Sequence, residues 1–244
     1  MDLRTSILKS KKPRHQFHDA TSLGWLSSHR PKSLPRNYKT DPKFIRVVEK
    51  FQPWKQCKDS WFSNHLIKDG IHGFRHVCRV SISAIFLALT RNSNISQSEM
   101  QAIMVAGLLH DCRRKNDNAD PNHGVRAATW LAKRPKILVG HLLPFLPAIQ
   151  FAISIHNDSY ELIEAKTAYK KLKFIVDILK TADGLDRYRF PRSDWWFSPH
   201  FAVLLPDLKE MSFAFDLALA SEKIFFDTKN NPESMIRAWE QIIK

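Results

Sequence analysis

Apolar residues recur at helical spacing along most of this chain, and strand-like alternation is scarce. Asp41-Pro42 is a helix start signal, and Phe44, Val47, Val48 and Phe51 follow on one stripe. A second helix is predicted from near Phe74, with Val77, Val80, Ala84, Ile85 and Ala88 on its apolar face. Ser96-Gln97-Ser98-Glu99 has the capping-box pattern and opens a helix that runs out at His110-Asp111. Asn122 is read as the cap of a helix through Ala127, Ala128 and Leu131. Another runs from about Pro147 through Ile149, Ala152 and Ile153 to His156. A long stripe follows in Leu172, Ile175, Val176, Leu179, Ala182 and Asp183, and two more helices are read over 208–226 and 232–243. The fold expected is all-α.

Residues 1–42 depart from this periodicity. They are rich in Lys, Arg, Ser and Pro, as in Lys9-Ser10-Lys11-Lys12-Pro13-Arg14, and read as a basic N-terminal arm preceding one domain over 43–244. Trp25 and Leu26 imply that part of the arm packs onto the body, because an isolated Trp gains little by staying in solvent. With 244 residues and 43% hydrophobic content the chain is long enough for a real core, and no apolar run approaches the roughly 20 residues of a membrane span. The first residues, charged rather than apolar, lack the hydrophobic region of a secretory signal, so a cytoplasmic protein is expected. Cys57, Cys78 and Cys112 are odd in number and far apart, which fits a reducing compartment and buried thiols. Seven glycines without a Gly-rich loop argue against a nucleotide-binding parallel sheet. The net charge of +14 implies attraction to polyanions, phosphate above all.

The chemistry collects at the ends of the apolar stripes. His76, the pair His110-Asp111, His156 and Asp183 each close or open a stripe, and stripes that face one core bring their ends together. Several buried imidazoles and carboxylates without partners cost a few kcal/mol each, so a shared cation accounts for their convergence. Imidazole with carboxylate suits a divalent ion and does not distinguish Mn, Fe, Co, Ni, Zn and Mg. Basic residues flank these positions: Arg79 one turn after His76, Arg113, Arg114 and Lys115 after Asp111, Lys180 one turn before Asp183, and Arg187 and Arg189 beyond it. His72, Arg79, Arg113, Lys180 and Arg187 are the expected substrate-binding residues, as phosphate contacts by charge and placement. Asp117 and Asp120 are either loop caps or groups that orient water or donate a proton. Tyr188, Phe190, Trp195, Trp196 and Phe197 belong to the core unless exposed at a pocket rim, where they would stack on a nucleobase.

The stretches Ile71-His72-Gly73-Phe74-Arg75-His76, Leu108-Leu109-His110-Asp111 and Ala182-Asp183-Gly184-Leu185-Asp186 together resemble the HD superfamily of metal-dependent phosphohydrolases, an all-helical fold with the ordered signature H, HD, D. Asn122-His123-Gly124 and Ile155-His156-Asn157-Asp158 look like the two intermediate histidine motifs of members that hold two metals. The resemblance covers about residues 70–189, with the N-terminal arm and the C-terminal helices outside it. It implies His76, His110, Asp111 and Asp183 around one metal, with Asp111 bridging to a second held by His123 and His156. It equally allows a single metal with His123 and His156 as substrate-facing acid, base or hydrogen-bonding groups. The catalytic set implied is His110, Asp111, His123 and His156. Asn157-Asp158 after His156 departs from the cyclic-di-GMP phosphodiesterases of the superfamily and disfavours that substrate. The activity expected is hydrolysis of a nucleotide phosphate ester. The alternatives are a nuclease or phosphodiesterase on DNA or RNA, and a binding module whose metal site is structural or vestigial. No membrane partner is expected, and the oligomeric state is left open.

Overall fold

A computed structural model describes residues 18–117, 119–137, 140–199 and 202–244, and no strand occurs among them. The helices are α1 (Ala20–Ser28), α2 (Pro42–Phe51), α3 (Pro53–Gln56), α4 (His65–Asp69), α5 (Phe74–Arg91), α6 (Gln97–Leu109), α7 (His123–Ala132), α8 (Leu146–Ile155), α9 (Tyr160–Glu164), α10 (Thr167–Leu185), α11 (Leu208–Thr228) and α12 (Asn231–Ile242). The fold is all-α. No helix among the described residues is long and apolar enough to cross a membrane.

Local chemistry fixes most of the starts. Asp41 accepts from Lys43 N with Pro42 in the first turn of α2. Ser96 and Glu99 form a reciprocal capping box for α6, and Asp207 with Glu210 does the same for α11. Asn122 sits at the N-terminal boundary of α7, but its side chain makes no capping hydrogen bond, contrary to the sequence reading.

Helix α5 is the axis of the bundle. It packs against α2, α6, α10, α11 and α12, and every residue from Phe74 to Ala88 is buried. A helix buried all round should be apolar all round. Here Arg75, His76 and Arg79 are the ionisable exceptions, and they are the residues that build the site. Around α5 run the pairs α6 with α8, α7 with α8, and α8 with α10, while α11 and α12 form a hairpin on the remaining side. The hairpin belongs to the same core: Phe44 of α2 stacks on Phe86 of α5 at 4.6 Å, and Phe213 and Trp239 meet Phe44 edge-on at 5.3 and 5.6 Å.

The described part of the N-terminal arm is folded. Asp19 and Ser22 make a capping box that starts α1, which lies on α11 and buries Leu23 and Leu26. Burial of two leucines contributes about 1.5–3 kcal/mol each to that docking. Arg30 reaches Asp216 of α11 at 2.8 Å and Tyr38 donates to the same carboxylate at 3.1 Å. Residues 18–42 therefore continue the body, as Trp25 and Leu26 suggested, while the basic run 9–14 lies outside the described residues. The helix itself was not foreseen, because nine residues with one glycine carry too little periodicity. Cys57, Cys78 and Cys112 are buried free thiols.

The crossing of α5 and α6 is set by Gly107. A Cβ there would meet Ser81 Oγ at 2.7 Å and Ser81 Cα at 2.9 Å, and the backbone atom cannot move aside alone. Gly107→Ala is expected to destabilise by about 1–3 kcal/mol through forced separation of the two helices. Gly24→Ala, on open α1 with nothing within 4 Å, is expected to stabilise slightly. Urea denaturation of both variants reads the contrast, and equal midpoints would contradict the close crossing.

Candidate metal centre

Five helix ends converge at one place. His76 lies in the first turn of α5, His110 caps α6 with Asp111 next to it, His123 opens α7, His156 caps α8, and Asp183 is in the last turn of α10. The four imidazoles and Asp111 are buried, whereas the Asp183 side chain keeps 33% of its exposure. Gly124 makes the α7–α8 approach possible: a Cβ there would meet Ile153 O at 2.4 Å and the His156 ring at 3.0 Å.

The ring nitrogens face two ways. His76 Nδ1 lies 2.7 Å from Asp186 Oδ2, His110 Nδ1 2.7 Å from Gly107 O, His156 Nδ1 2.7 Å from Ile153 O, and His123 Nδ1 against Asp120 O. These oxygens accept, so each Nδ1–H donates and each Nε2 turns a lone pair to the centre. There His76 Nε2 stands 3.1 Å from His110 Nε2, and His123 Nε2 2.8 Å from His156 Nε2. Two acceptors at that distance repel unless a proton or a cation lies between them.

The carboxylates complete the donor set. Asp111 divides its oxygens: Oδ2 is 3.4 Å from His76 Nε2, while Oδ1 is 2.8 Å from His123 Nε2 and 3.6 Å from His156 Nε2. Asp183 Oδ1 lies 3.4 Å from His76 Nε2 and 3.8 Å from His110 Nε2. Donors about 2.0–2.2 Å from one ion stand roughly 3–3.6 Å apart, so the set fits a divalent cation. Two triplets have ligand atoms all within 4.8 Å of one another, His76 with His110 and Asp183, and His110 with Asp111 and His156.

Electrostatics follow the same division. Burial works against the charge on Asp111, but His123, His110 and Arg114 outweigh it and hold its carboxyl well below the usual range. Asp183 is likewise held well below by His110 and His76, against its own burial. Burial opposes protonation of His110, yet Asp111 and Asp183 raise its pKa. Burial, reinforced by His110 and His123, drops His156 to about 4, which leaves that ring neutral near pH 7.

Behind His76 stands a buried chain of alternating charge. Asp186 Oδ2 holds His76, and its Oδ1 accepts from Arg79 Nε at 2.5 Å. Arg79 NH1 donates to Glu222 Oε1 at 2.7 Å, and Arg75 Nε to Glu222 Oε2 at 3.1 Å. All four charged residues are at most 2% exposed. Arg79 was expected to contact phosphate, but its guanidinium is spent on Asp186, Glu222 and Ser221 inside the bundle. The sequence reading missed Asp186 and Glu222. Asp186 is one turn past Asp183, and Glu222 is an acidic residue buried amid the apolar stripe of α11; each position was a usable signal.

A cleft of about 540 Å³ opens onto the centre, with Asp111, His123, His156 and Asp183 in its wall. His72 lines it and donates from Nδ1 to Asp117 Oδ1, 2.9 Å away, while Asp117 Oδ2 is buried without a partner. Arg114, Arg187 and Arg189 also face it, and so do Phe190 and Trp195. Of the other expected phosphate contacts, Arg113 and Lys180 lie outside this cleft, and Arg187 borders it with Nε engaged. Arg113 bonds Trp61 O and is not in the wall. Lys180 is tied to the carbonyls of His156 at 2.8 Å and Asp158 at 2.6 Å. Arg187 Nε donates to Trp195 O at 2.5 Å. Asp120 serves the loop, accepting from Lys115 N and Arg126.

Comparison with protein-family models, curated proteins and solved structures gives no match.

His18, His72 and His156 are held neutral in the folded chain, each lowered from 6.5 to about 4 chiefly by burial. The unfolded chain takes up these protons first, so stability is complete above pH 6.5 and drains away as pH falls toward 4. In metal-free protein the urea midpoint is expected to drop across that window, and His72→Gln to flatten the slope. A midpoint that stays constant there contradicts the burial of neutral imidazoles.

Proposed function

We propose that this chain is a metal-dependent phosphohydrolase acting on a phosphate ester of a nucleotide, with one or two divalent cations at the helix-end centre. The observation that carries the reading is Asp111, whose two oxygens are divided between His76 on one side and His123 and His156 on the other. A carboxylate set between two groups of inward lone pairs is the donor pattern of a bridged pair of ions. In that arrangement His76, His110, Asp111 and Asp183 would hold one ion, and Asp111, His123 and His156 the other. The ordered H, HD, H, H, D residues that resemble the HD superfamily are the same six positions.

A divalent ion held by these residues lowers the pKa of a water and draws charge off phosphoryl oxygens. The chain's own groups do the rest. Arg114, Arg187 and Arg189 line the cleft and favour a phosphate there by charge, with Arg189 itself held by Ile71 O and Asp186. His72, fixed through Asp117, lines the cleft as a neutral ring whose Nδ1–H is engaged, so it is suited to accept a hydrogen bond from a water or a substrate hydroxyl. Phe190 and Trp195 offer ring surface for a nucleobase. The Nδ1 partners of the four histidines keep the lone pairs aimed inward, so no reorientation is needed when an ion arrives.

A nuclease is the second reading, favoured by the net charge of +14. Metal-dependent turnover of small nucleotide esters with little cleavage of oligonucleotides supports the first reading, and the reverse pattern the second. Elemental analysis of the purified protein and a hydrolysis screen of nucleotide monoesters and diesters with Mn, Fe, Co, Ni, Zn and Mg give the direct check. His110→Ala and Asp183→Asn are each expected to reduce bound metal and to cut turnover by more than about 100-fold, beyond the loss typical of removing a residue that only orients a ligand. Full turnover in His110→Ala would overturn the proposal.

A further inference from the structure

We infer that the substrate is a phosphodiester whose phosphorus carries an organic group on each side, with an uncharged aromatic substituent on one of them. This rests on the phosphohydrolase reading and makes its substrate class specific. The observation is that the centre is flanked by two cavities. The cleft already described holds about 540 Å³, and a second space of about 580 Å³ lies beyond it. His156, Asn157, Asp183 and Arg187 are walls of both, while Trp195 borders only the first and Trp196 only the second. Each lobe alone falls within the size range of a complete small-molecule pocket, about 300–1,000 Å³. A phosphomonoester brings one organic group and would leave one lobe to water; a diester fills both.

The two lobes differ in chemistry. The first is cationic, with Arg114 and Arg189 beside the shared Arg187. The second is bounded by Tyr160, Trp196 and Phe197, and its carboxylates Asp158 and Glu161 repel a further phosphate. Its one lysine adds no anion site: Lys180 Nζ is committed to the His156 and Asp158 carbonyls and rests 5.0 Å from the Tyr160 ring. The Tyr160 hydroxyl is likewise spent on Asp177 at 3.1 Å. Beside the shared Arg187 and Asn157, the wall offers the aromatic surface of Tyr160, Trp196 and Phe197, suited to stack on an uncharged ring. In the hydrolysis one water is consumed: its oxygen bonds to phosphorus, one ester P–O bond breaks, and the departing oxygen takes up a proton. The products are a phosphomonoester and an alcohol.

The test has a binding arm and a turnover arm, both on the full chain. In chelator-treated protein, tryptophan fluorescence follows titration with diphenyl phosphate and with phenyl phosphate; the diester is expected to bind at least about tenfold more tightly. Ser198→Trp, which fills the second lobe, is expected to erase that preference. With each divalent metal, kcat/KM for bis(p-nitrophenyl) phosphate is expected to exceed that for p-nitrophenyl phosphate. Equal or tighter binding of phenyl phosphate, a preference unmoved by Ser198→Trp, or faster monoester turnover overturns the inference. Absence of turnover of either ester in every metal overturns the phosphohydrolase reading instead, and the binding arm still decides the two-lobe assignment.

Discussion

The contact on which the rest of the architecture leans is the ion pair of Arg79 with Asp186. Arg79 is 0% exposed, so its charge has no recourse to water, and it must find carboxylates inside the bundle. It finds Asp186 just past α10 and Glu222 on α11, which ties three helices together at the level of the centre. Asp186 in turn fixes the tautomer and tilt of His76. Breaking one member of such a chain strands the others as uncompensated buried charges, so the network is stiff even though its net gain over an apolar core is modest.

Seen this way, the C-terminal hairpin is structural support for a centre to which it contributes no inward-facing donor. Glu222 anchors both Arg75 and Arg79, and Phe213 and Trp239 close the aromatic core over Phe44. The N-terminal segment acts on the same hairpin from the other side. Leu23 and Leu26 are buried by it, Arg30 and Tyr38 hold Asp216, and the unpartnered ring of His18 lies 3.9 Å from Glu222. Segments on both flanks of the motif region thus converge on a single buried carboxylate.

Much of this was legible in the sequence, for reasons that can be traced. Long stripes and caps such as Ser96 with Glu99 depend on local spacing, so α5, α6, α10, α11 and α12 could be read with bounds off by a few residues. Five of the six inward residues were readable because each closes or opens an apolar stripe, while His123 came only from the resemblance to the intermediate histidine motifs. What could not be read was the fate of the cations. Arg79 and Arg189 look alike in sequence, and both bond Asp186 inside the bundle, yet only the second also borders the cleft. Lys180 sits one turn from Asp183 as expected, but it satisfies carbonyls at the end of α8. Whether a basic side chain faces a ligand or a carbonyl depends on tertiary neighbours that spacing does not encode. The short α1 fell below the length at which periodicity speaks.

The position of the inward residues at helix termini has a consequence for how such a chain tolerates change. A residue added to the segment between α6 and α7 lengthens an excursion whose ends stay anchored, and chain-closure entropy rises only slowly with length. A residue added within α5 or α10 is another matter. It would swing every following side chain around the axis by about 100° and carry His76 out of step with Arg79, or Asp183 out of step with the stripe that precedes it. Variation in length should therefore accumulate in the connections of this architecture, while the helices that carry its polar termini keep a fixed count.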